Sequence, residues 1–334
     1  MKEKKMLSIV DIASLAGVST ATVSHVINKT GRFSKETEEK VRTVIKEYGY
    51  VSNNTARTLR SSASHTVGLI LPNINNDFFS SIAVSIEQYF DFNDYALFIC
   101  NTDNDPQKER RYFHRLDSMR VDGIIVISCQ KEIEAGILSR EIPVVLLDRT
   151  PKNEQDLCIV TSNVIKGIHD ATTSLIDKGC RNIVFISSYL ATYVKTNRKD
   201  GYLNAMHDHG LDKEQSVIQL GEGPSIVNAE IEIIDYVSKG NKVDGIICTS
   251  DNQAIGAMEG LKRLGLRVPE DVKVFGFDNQ FQSRICTPTL STIERNQSLL
   301  GRISSEVLLN LIRNKPVEKS TVIDCSLVNR ESTQ

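Results

Sequence analysis

Residues 8–28 most constrain how this 334-residue chain folds, because they predict two short helices joined by one tight turn. Ser8 and Asp11 are spaced as a capping box at the start of the first helix. Gly17 is predicted to end this helix, because glycine readily adopts the left-handed conformation found there. Ser19 is placed to cap the second helix. An ordinary pair of small helices is the plainer interpretation. The caps, the glycine and the apolar periodicity nevertheless agree on a helix-turn-helix.

The second predicted helix exposes small or polar residues near its N-terminus, and a helix of this kind can enter a DNA major groove. Thr20, Ala21 and His25 are predicted to meet base edges. Ser19 and Thr22 are predicted to hold phosphates, together with the backbone amides at the helix start. The predicted DNA-contacting residues are Ser19, Thr20, Ala21, Thr22, Ser24, His25, Asn28, Lys29, Arg57 and Leu59.

A third amphipathic helix is predicted to begin at Ser34 and to end at Gly49. Its predicted apolar face consists of Val41, Val44, Ile45 and Tyr48. Three helices of this size can form a minimal core. The polar segment that follows, about 53–61, is predicted to be a hinge helix that orders on DNA and inserts Leu59 into the minor groove.

From residue 65 onward, apolar strand-like runs alternate with amphipathic helices, which is typical of parallel sheets flanked by helices. About ten successive strands exceed a comfortable single sheet, so two sheets are expected, each in its own subdomain. The predicted fold class is therefore an N-terminal all-α helix-turn-helix domain followed by an α/β core of two parallel-sheet subdomains.

The charge of the chain is unevenly distributed. Residues 1–60 hold 11 Lys and Arg against 6 Asp and Glu, and the remainder holds 29 against 36. A basic head on an acidic body favours a DNA-binding module joined to a sensor. The seven cysteines occur singly, so they are interpreted as core residues in a reducing cytoplasm rather than zinc ligands or disulfides. No signal peptide, membrane span or cofactor is expected.

Several motifs of this chain are shared with one known family. Near the N-terminus they are Asp11-Ile12-Ala13, Ala16-Gly17-Val18-Ser19, Ala21-Thr22-Val23-Ser24, Tyr48-Gly49-Tyr50 and Ala56-Arg57-Thr58-Leu59-Arg60. Farther along they are Val121-Asp122-Gly123-Ile124-Ile125, Gly256-Ala257-Met258, 266–272 and 274–278. By these motifs the chain closely resembles the lac repressor family of bacterial transcription regulators over essentially its whole length. Its second helix is most similar to those of purine and ribose repressors.

The resemblance implies a core like that of the sugar-binding proteins of bacterial transport systems. The DNA-binding domain is expected at 1–60 and the effector-binding and dimerisation core at 61–334. Subdomain 1 is expected at about 65–161 and 291–320, and subdomain 2 at about 162–290 and 321–334. The crossovers between subdomains would form a hinge, with an effector in the cleft at the carboxyl ends of the strands.

Polar and charged residues follow several predicted strands, where a ligand would lie. A single residue of this kind is often just a solvated loop position, but several separate loops could converge on one cleft. The predicted effector-binding residues are Asn76, Phe78, Phe79, Asp148, Arg149, Arg198, Asp251, Asp278 and Arg295. Their carboxylates and guanidinium groups suit a polyol, and Phe78 or Phe79 could stack on a sugar ring. The resemblance implies the same role for Asn76, Phe78, Asp148, Arg149, Arg198 and Asp278.

Three positions depart from the pattern of the resembled family. Ser250 stands where an Asn is usual before Asp251, Arg295 stands where a Gln is usual, and Gly223 stands where an aromatic residue often closes the pocket. These departures indicate a larger or more anionic ligand, such as a sugar phosphate. Three arginines, Arg295 among them, could balance its charge.

These patterns predict a homodimeric repressor that binds a near-palindromic operator in double-stranded DNA. A small cytoplasmic metabolite would change its operator affinity, with a ribose-like sugar as the first expectation and a sugar phosphate as the second. A global regulator controlled by a phosphorylated carrier protein is an alternative in the same class. A sugar receptor without DNA function fits the basic helix-turn-helix poorly. An enzyme is not expected, because there is no Gly-rich phosphate loop, metal-spaced His cluster or nucleophile elbow.

Overall fold

The computed structural model describes residues 7–28, 30–50, 63–130, 132, 137, 141–149, 157–187, 198–223 and 225–334. The chain divides into two compact units, Met1–Ser64 and His65–Gln334. The predicted hinge helix, with Arg57 and Leu59, lies outside the described residues, as does Lys29.

The described part of the chain alternates between helices and strands after the first unit. The helices are α1 (Ile9–Ala16), α2 (Thr20–Asn28), α3 (Lys35–Tyr48), α4 (Asp77–Phe92), α5 (Pro106–Ser118), α6 (Val164–Asp177), α7 (Arg198–Asp208), α8 (Ser225–Ser238), α9 (Asp251–Arg263), α10 (Gln282–Ile285) and α11 (Gln297–Ile312). The strands are β1 (Thr66–Leu71), β2 (Ala96–Asn101), β3 (Gly123–Val126), β4 (Val144–Leu147), β5 (Cys158–Ser162), β6 (Ile183–Ser187), β7 (Ser216–Gln219), β8 (Gly245–Cys248), β9 (Lys273–Phe277), β10 (Ser291–Glu294), β11 (Ser320–Ile323) and β12 (Ser326–Val328).

Local caps define the helices of the first unit. The capping box at the start of α1 is confirmed, because Ser8 Oγ accepts from the Asp11 amide at 3.3 Å and the Ser8 amide donates to the Asp11 carboxylate at 2.7 Å. Gly17 ends α1 with φ 66°, the left-handed conformation that glycine adopts without steric cost. Ser34 caps α3 through the Thr37 amide at 3.1 Å.

The core of the first unit is formed by apolar residues from all three helices. Its buried members are Ile12, Ala13, Val23, Val26 and Val41. The prediction that Tyr48 lies on the apolar face of α3 is wrong, since this side chain is 45% exposed. Tyr50 packs against the core instead, because the chain turns at Gly49 with φ 60° and returns toward it.

Two six-stranded sheets form the second unit. The sheet of subdomain 1 has the order β11-β5-β4-β3-β1-β2, and its strands are parallel. The sheet of subdomain 2 has the order β12-β10-β9-β8-β6-β7, and only the β10–β12 pair is antiparallel. Helices cover both faces of each sheet, as expected for parallel strands that are buried on both sides.

Two strands lie in the opposite subdomain from the one predicted. β10 pairs with β9 in subdomain 2, with Ser291 opposite Phe275, whereas the sequence predicts 291–320 in subdomain 1. β11 pairs with β5 in subdomain 1, with Thr321 opposite Val160, whereas the sequence predicts 321–334 in subdomain 2. Both are short strands of mixed polarity, so hydrogen bonding to a distant neighbour, rather than local pattern, decides which sheet each one joins.

Within the described residues, the chain crosses between the subdomains at three adjacent places. These crossings follow β5, β10 and β11 in turn. Asn163, after β5, donates to Asp324, after β11, at 3.1 Å. This arrangement of short parallel connections is the architecture of a hinge. Among the described helices, none is by itself long and apolar enough to cross a membrane, and α1 and α2 meet that test only as a pair bent by 100°.

Candidate functional site

Helix α2 and its cap carry most of the residues predicted to contact DNA. Thr20, Ala21 and His25 are exposed, while Thr22 and Ser24 are half-buried beside the fully buried valines of this helix. The predicted cap is present, because Ser19 Oγ accepts from the Thr22 amide at 3.1 Å and lies 2.9 Å from the Thr22 hydroxyl. A phosphate at the start of α2 would therefore accept from the Thr22 amide and the Ser19 and Thr22 hydroxyls, which already take part in the cap.

His25 is held in place by the turn that follows α2. Its Nδ1 lies 3.3 Å from the Thr30 hydroxyl, and a Cβ added at Gly31 would lie 2.9 Å from the same nitrogen. Glycine at position 31 thus lets the imidazole lie close to the backbone, which leaves Nε2 for a partner outside the protein. The Asn28 side chain lies outside the described residues.

A second candidate site lies in the core, where chain segments leave the carboxyl ends of the strands. Asp148 and Arg149 directly follow β4 in subdomain 1, and Asp278 directly follows β9 in subdomain 2. Asp148 and Asp278 both have positive φ angles, 66° and 93°. Non-glycine residues in this conformation are uncommon and often occur at binding sites. Arg295 directly follows β10, on the segment that crosses between the subdomains.

Arg295 joins the two walls of this cleft. Its side chain is 1% exposed. It donates to Asp148 Oδ1, to Asp278 Oδ1 at 3.3 Å and, through Nε, to the Ser162 hydroxyl at 3.3 Å. Asp148 and Ser162 belong to subdomain 1, whereas Asp278 belongs to subdomain 2. One buried guanidinium group therefore pairs with two carboxylates and connects both subdomains.

Aromatic rings and guanidinium groups alternate through the site. Arg295 lies 4.1 Å from the centroid of Phe78 and 5.6 Å from that of Phe277. Phe78 packs edge-on against Phe79 at 5.3 Å. Both predicted stacking residues are buried, so protein cations already occupy space beside their rings. Contacts of this kind are attractive because the cation meets the negative face of the ring.

Arg149 and Arg198, called the outer arginines because they lie to either side of Arg295, have neutral hydrogen-bond partners. Arg149 lies 5.5 Å from the Phe79 centroid, and its Nη1 donates to Asn104 Oδ1 at 3.1 Å. Arg198 lies 4.1 Å from the Phe277 centroid, and its Nη1 donates to the Thr249 carbonyl at 2.7 Å. Within the described residues, neither guanidinium forms an ion pair with a carboxylate.

Burial governs the ionisation of the cleft residues. It lowers the pKa of Arg149 and of Arg295 to about 10, and the like charge of Arg198 further lowers the pKa of Arg149. The pKa of Arg198 is also lowered by burial, against the opposing effect of Asp278. Burial raises the pKa of Asp278 to about 7, although the Arg198 charge acts in the opposite direction. In each of these groups, burial therefore disfavours the charged form.

Asp251 lies behind the cleft residues and holds neighbouring segments of subdomain 2 together. It is fully buried, and its two carboxylate oxygens accept from the Thr292 hydroxyl at 2.5 Å and from the Gln280 amide at 2.6 Å. Burial raises its pKa to about 7. An effector could reach this carboxylate only by displacing those donors, so the geometry gives Asp251 a positioning role.

Gln280 connects the two subdomains at a second point. Its Nε2 lies 3.4 Å from Asn76 Oδ1, which also accepts from the Phe78 amide at 2.9 Å. Sequence reasoning missed Gln280, together with Phe277, Ser162 and Asn104. Phe277 and Ser162 end strands β9 and β5, and Gln280 follows β9, so their positions at strand ends could have identified them. Asn104 comes from a turn that carries no such signal.

The three positions that depart from the resembled family have different structural roles. Ser250 caps α9, since its hydroxyl accepts from the Gln253 amide at 3.3 Å. Gly223 has a φ of 120°, which a larger side chain would adopt only with strain. Arg295 is the departure with the largest consequence, because it forms the centre of the cleft.

Comparison with known proteins identifies the family of this chain. The model for "Bacterial regulatory proteins, lacI family" matches residues 8–53, and that for "Periplasmic binding protein-like domain" matches residues 172–333. A protein named HTH-type transcriptional repressor PurR, from Vibrio atlanticus (strain LGP32), is 34% identical over 319 residues, which are 94% of this chain and 94% of that protein. The chain belongs to the lacI family. It is therefore a DNA-binding transcriptional regulator with an effector-binding domain, and the prediction that it is not an enzyme is confirmed.

Solved structures confirm the predicted fold class of this lacI-family protein. The lac repressor dimer bound to operator and the anti-inducer ONPF is similar with a TM-score of 0.87 at 23% identity, and the match covers 98% of this chain and 99% of that one. A periplasmic binding protein/LacI transcriptional regulator from Alkaliphilus metalliredigens QYMF, complexed with D-xylulofuranose, has a TM-score of 0.68 at 30% identity. That match covers 81% of this chain and 99% of the other.

Proposed function

We propose that this lacI-family protein is a cytoplasmic, homodimeric repressor whose affinity for a near-palindromic operator is set by a small hydroxyl-rich metabolite in the cleft. The metabolite is a sugar, ribose-like in size, or a sugar phosphate. The observation that carries this proposal is the position of Arg295, which contacts carboxylates of both subdomains from a segment that crosses between them. A ligand that touches the same groups would change the relative energies of open and closed clefts.

On the DNA side, α2 would lie in the major groove of each half-site. Thr20, Ala21 and His25 would meet base edges, while Ser19 and Thr22 would position the helix on phosphates. The exposure of the first three and the cap formed by the other two support these roles. Two copies of this helix in a homodimer would read a palindrome.

On the effector side, the cleft combines hydrogen-bonding groups with buried aromatic rings. Asn76, Asp148, Arg149, Arg198 and Asp278 could bind hydroxyl groups. The relative from Alkaliphilus, which is complexed with D-xylulofuranose, supports a sugar as the effector here. Linkage then requires operator DNA to change the ligand affinity by the same factor as the ligand changes the DNA affinity.

The experiment has two steps. An operator is first selected from randomised duplexes with the purified full-length protein, and a near-palindrome is expected. Ribose, other pentoses, hexoses, their phosphates and purine bases are then titrated against the operator complex. At least one sugar or sugar phosphate should alter DNA binding, and Arg198→Ala should abolish that response. With an inducer, the variant keeps its ligand-free operator affinity, whereas with a co-repressor it remains weakly bound. A response only to a phosphorylated carrier protein would exclude the cleft effector.

The same operator tests the predicted hinge. Leu59→Ala should reduce DNA bending and operator affinity, because the side chain no longer separates two base steps in the minor groove. Bending is measured by the mobility of circularly permuted fragments. A variant that bends the operator as much as the wild-type protein would contradict the wedge.

A further inference from the structure

The guanidinium groups of the cleft differ in how many of their N–H groups donate to acceptors within the protein. A guanidinium carries five N–H donors. Arg295 donates to two carboxylates and a hydroxyl, so its charge is compensated. Arg149 and Arg198 each donate one hydrogen bond, to a neutral oxygen. Across the described ranges, their other N–H groups have no protein acceptor, so most of their hydrogen-bonding capacity is available to a ligand.

The carboxylates of the cleft are already committed to other donors. Asp148 and Asp278 pair with Arg295. Glu109 lies close enough to raise the pKa of Arg149. However, it is fully buried and accepts from the Ser128 hydroxyl at 2.7 Å, the Cys129 amide at 2.7 Å and the Gln130 side chain at 2.9 Å. Asp251 is equally committed to Thr292 and Gln280.

The two outer arginines come from opposite walls and affect each other. Arg149 follows β4 of subdomain 1, and Arg198 begins α7 of subdomain 2. Arg149 packs on Phe79, whose neighbour Phe78 covers Arg295, and Arg198 packs on Phe277, which also lies beside Arg295. The two cations therefore flank one poorly solvated space, and the Arg198 charge lowers the pKa of Arg149. Like charges in such a space are unfavourable, and an anion between them would remove the repulsion. Guanidinium groups bind carboxylates and phosphates in a forked geometry, which makes them suitable for this role.

We infer that the effector of this protein carries an oxyanion, either a carboxylate or a phosphate, which lies between Arg149 and Arg198 and draws the two subdomains together. This inference rests on the proposed function, because it assigns a chemical class to the effector of the same cleft. Arg295 contributes little to anion recognition, since two carboxylates neutralise it. The anionic effector favours the closed cleft because its charge is compensated only when both walls contact it.

The first test uses inorganic phosphate as the probe and the full-length protein. Millimolar phosphate should raise the thermal unfolding midpoint of the wild-type protein above that in potassium chloride of equal ionic strength. The shift should be absent in Arg149→Gln and in Arg198→Gln. It should persist in Arg267→Gln, a matched control whose guanidinium is exposed and paired with Asp271. No phosphate-specific shift, or an equal shift in all variants, overturns the inference.

The second test separates the two sources of the oxyanion by calorimetry. D-Ribose, D-ribose 5-phosphate and D-ribonate are compared, together with the corresponding hexose series. The phosphate or the acid of one sugar should bind about 10- to 100-fold more tightly than its neutral form, and either cleft variant should remove this advantage. A phosphate preference identifies a sugar phosphate, and a carboxylate preference identifies a sugar acid. Neutral sugars that bind as tightly as their anions overturn the inference.

Operator binding distinguishes this inference from the proposed function. Wild-type protein and the Arg267→Gln control should bind the selected operator with similar affinity in the absence of ligand, and far-ultraviolet circular dichroism shows whether the two cleft variants are folded. If neutral sugars change operator affinity and anionic ones do not, the inference is wrong while the proposed function stands. If the wild-type protein selects no operator, either alone or in the presence of the sugars, sugar phosphates and sugar acids tested, the proposed function itself fails.

Discussion

At the scale of single residues, the centre of the cleft is a buried guanidinium group that donates hydrogen bonds to the polar side chains around it. Arg295 is almost completely buried, and its pKa falls to about 10 through desolvation. Desolvation of this size is tolerated only when the charge is paired with good geometry. The carboxylates that pair with it are themselves buried. Each opposite charge therefore stabilises the others in surroundings that would disfavour any one of them alone.

Arg295→Gln should destabilise the core by about 3–5 kcal/mol, because it leaves two buried carboxylates without their counter-charge. Asp148→Asn in the same chain should recover part of that loss, since it removes one of the stranded charges. Urea unfolding of the single and double variants measures the coupling. Strictly additive losses would show that the pair does not interact in solution.

Asp251 predicts a pH dependence of stability. Burial raises its pKa to about 7 from 3.8, so between these values the folded state binds more protons than the unfolded state. The free energy of unfolding should therefore fall as pH rises through this range, by up to about 1.4 kcal/mol per unit. Asp251→Asn should reduce this slope, as measured by urea unfolding across the range, while the part contributed by Asp278, whose pKa burial also raises to about 7, should remain. Parallel curves for the two proteins would contradict the assignment.

His25→Ala tests the reading of bases. With Nδ1 beside the Thr30 hydroxyl, Nε2 is left to contact a base edge. The change should weaken binding to the selected operator by about 1–3 kcal/mol and relax the choice at one base pair in each half-site. Binding is compared on operator and on random duplex at one salt concentration. Equal losses on both would indicate a phosphate contact instead.

At the scale of elements, the helix-turn-helix depends on caps that belong to neighbouring residues. Gly17→Ala should destabilise the first unit by about 1–2 kcal/mol, because a Cβ is unfavourable at φ 66°. Amide hydrogen exchange of α1 and α2 should accelerate, while exchange in the core sheets should not change. Gly221→Ala is the matched control, since nothing lies within 4 Å of an added Cβ there. Similar exchange in both variants would contradict the role of the cap.

At the scale of the whole molecule, the proposed homodimer requires a surface on which the second copy packs, and we expect that surface to include exposed apolar side chains of subdomain 2. Phe281 and Ile285 in subdomain 2 are both 64% exposed. Phe281→Asp should shift the protein from dimer to monomer and weaken operator binding, because one copy reads only a half-site. Val322→Asp on β11, also at an exposed apolar residue, should remain dimeric. Sedimentation velocity checks both, and a dimeric Phe281→Asp protein would place the interface elsewhere.

The sequence by itself determined the features that depend on near neighbours. The capping box of Ser8 and Asp11, the left-handed Gly17 and the buried valines of α2 follow from spacing within a few residues. The alternation of strands and helices likewise determined the two-sheet core. It also placed Asp148, Arg149, Asp278 and Arg295 after strands, since the carboxyl ends of parallel strands meet at one edge.

Only the tertiary structure decided which of these residues become partners. Arg295 and Asp148 are 147 positions apart, and no local pattern encodes their ion pair. The same holds for the sheet that β10 joins and for the burial of Asp251 beneath Gln280. Periodicity records which side of an element is apolar, but not which distant surface covers it. Pairing and desolvation arise when separate segments pack together, so they belong to the folded molecule alone.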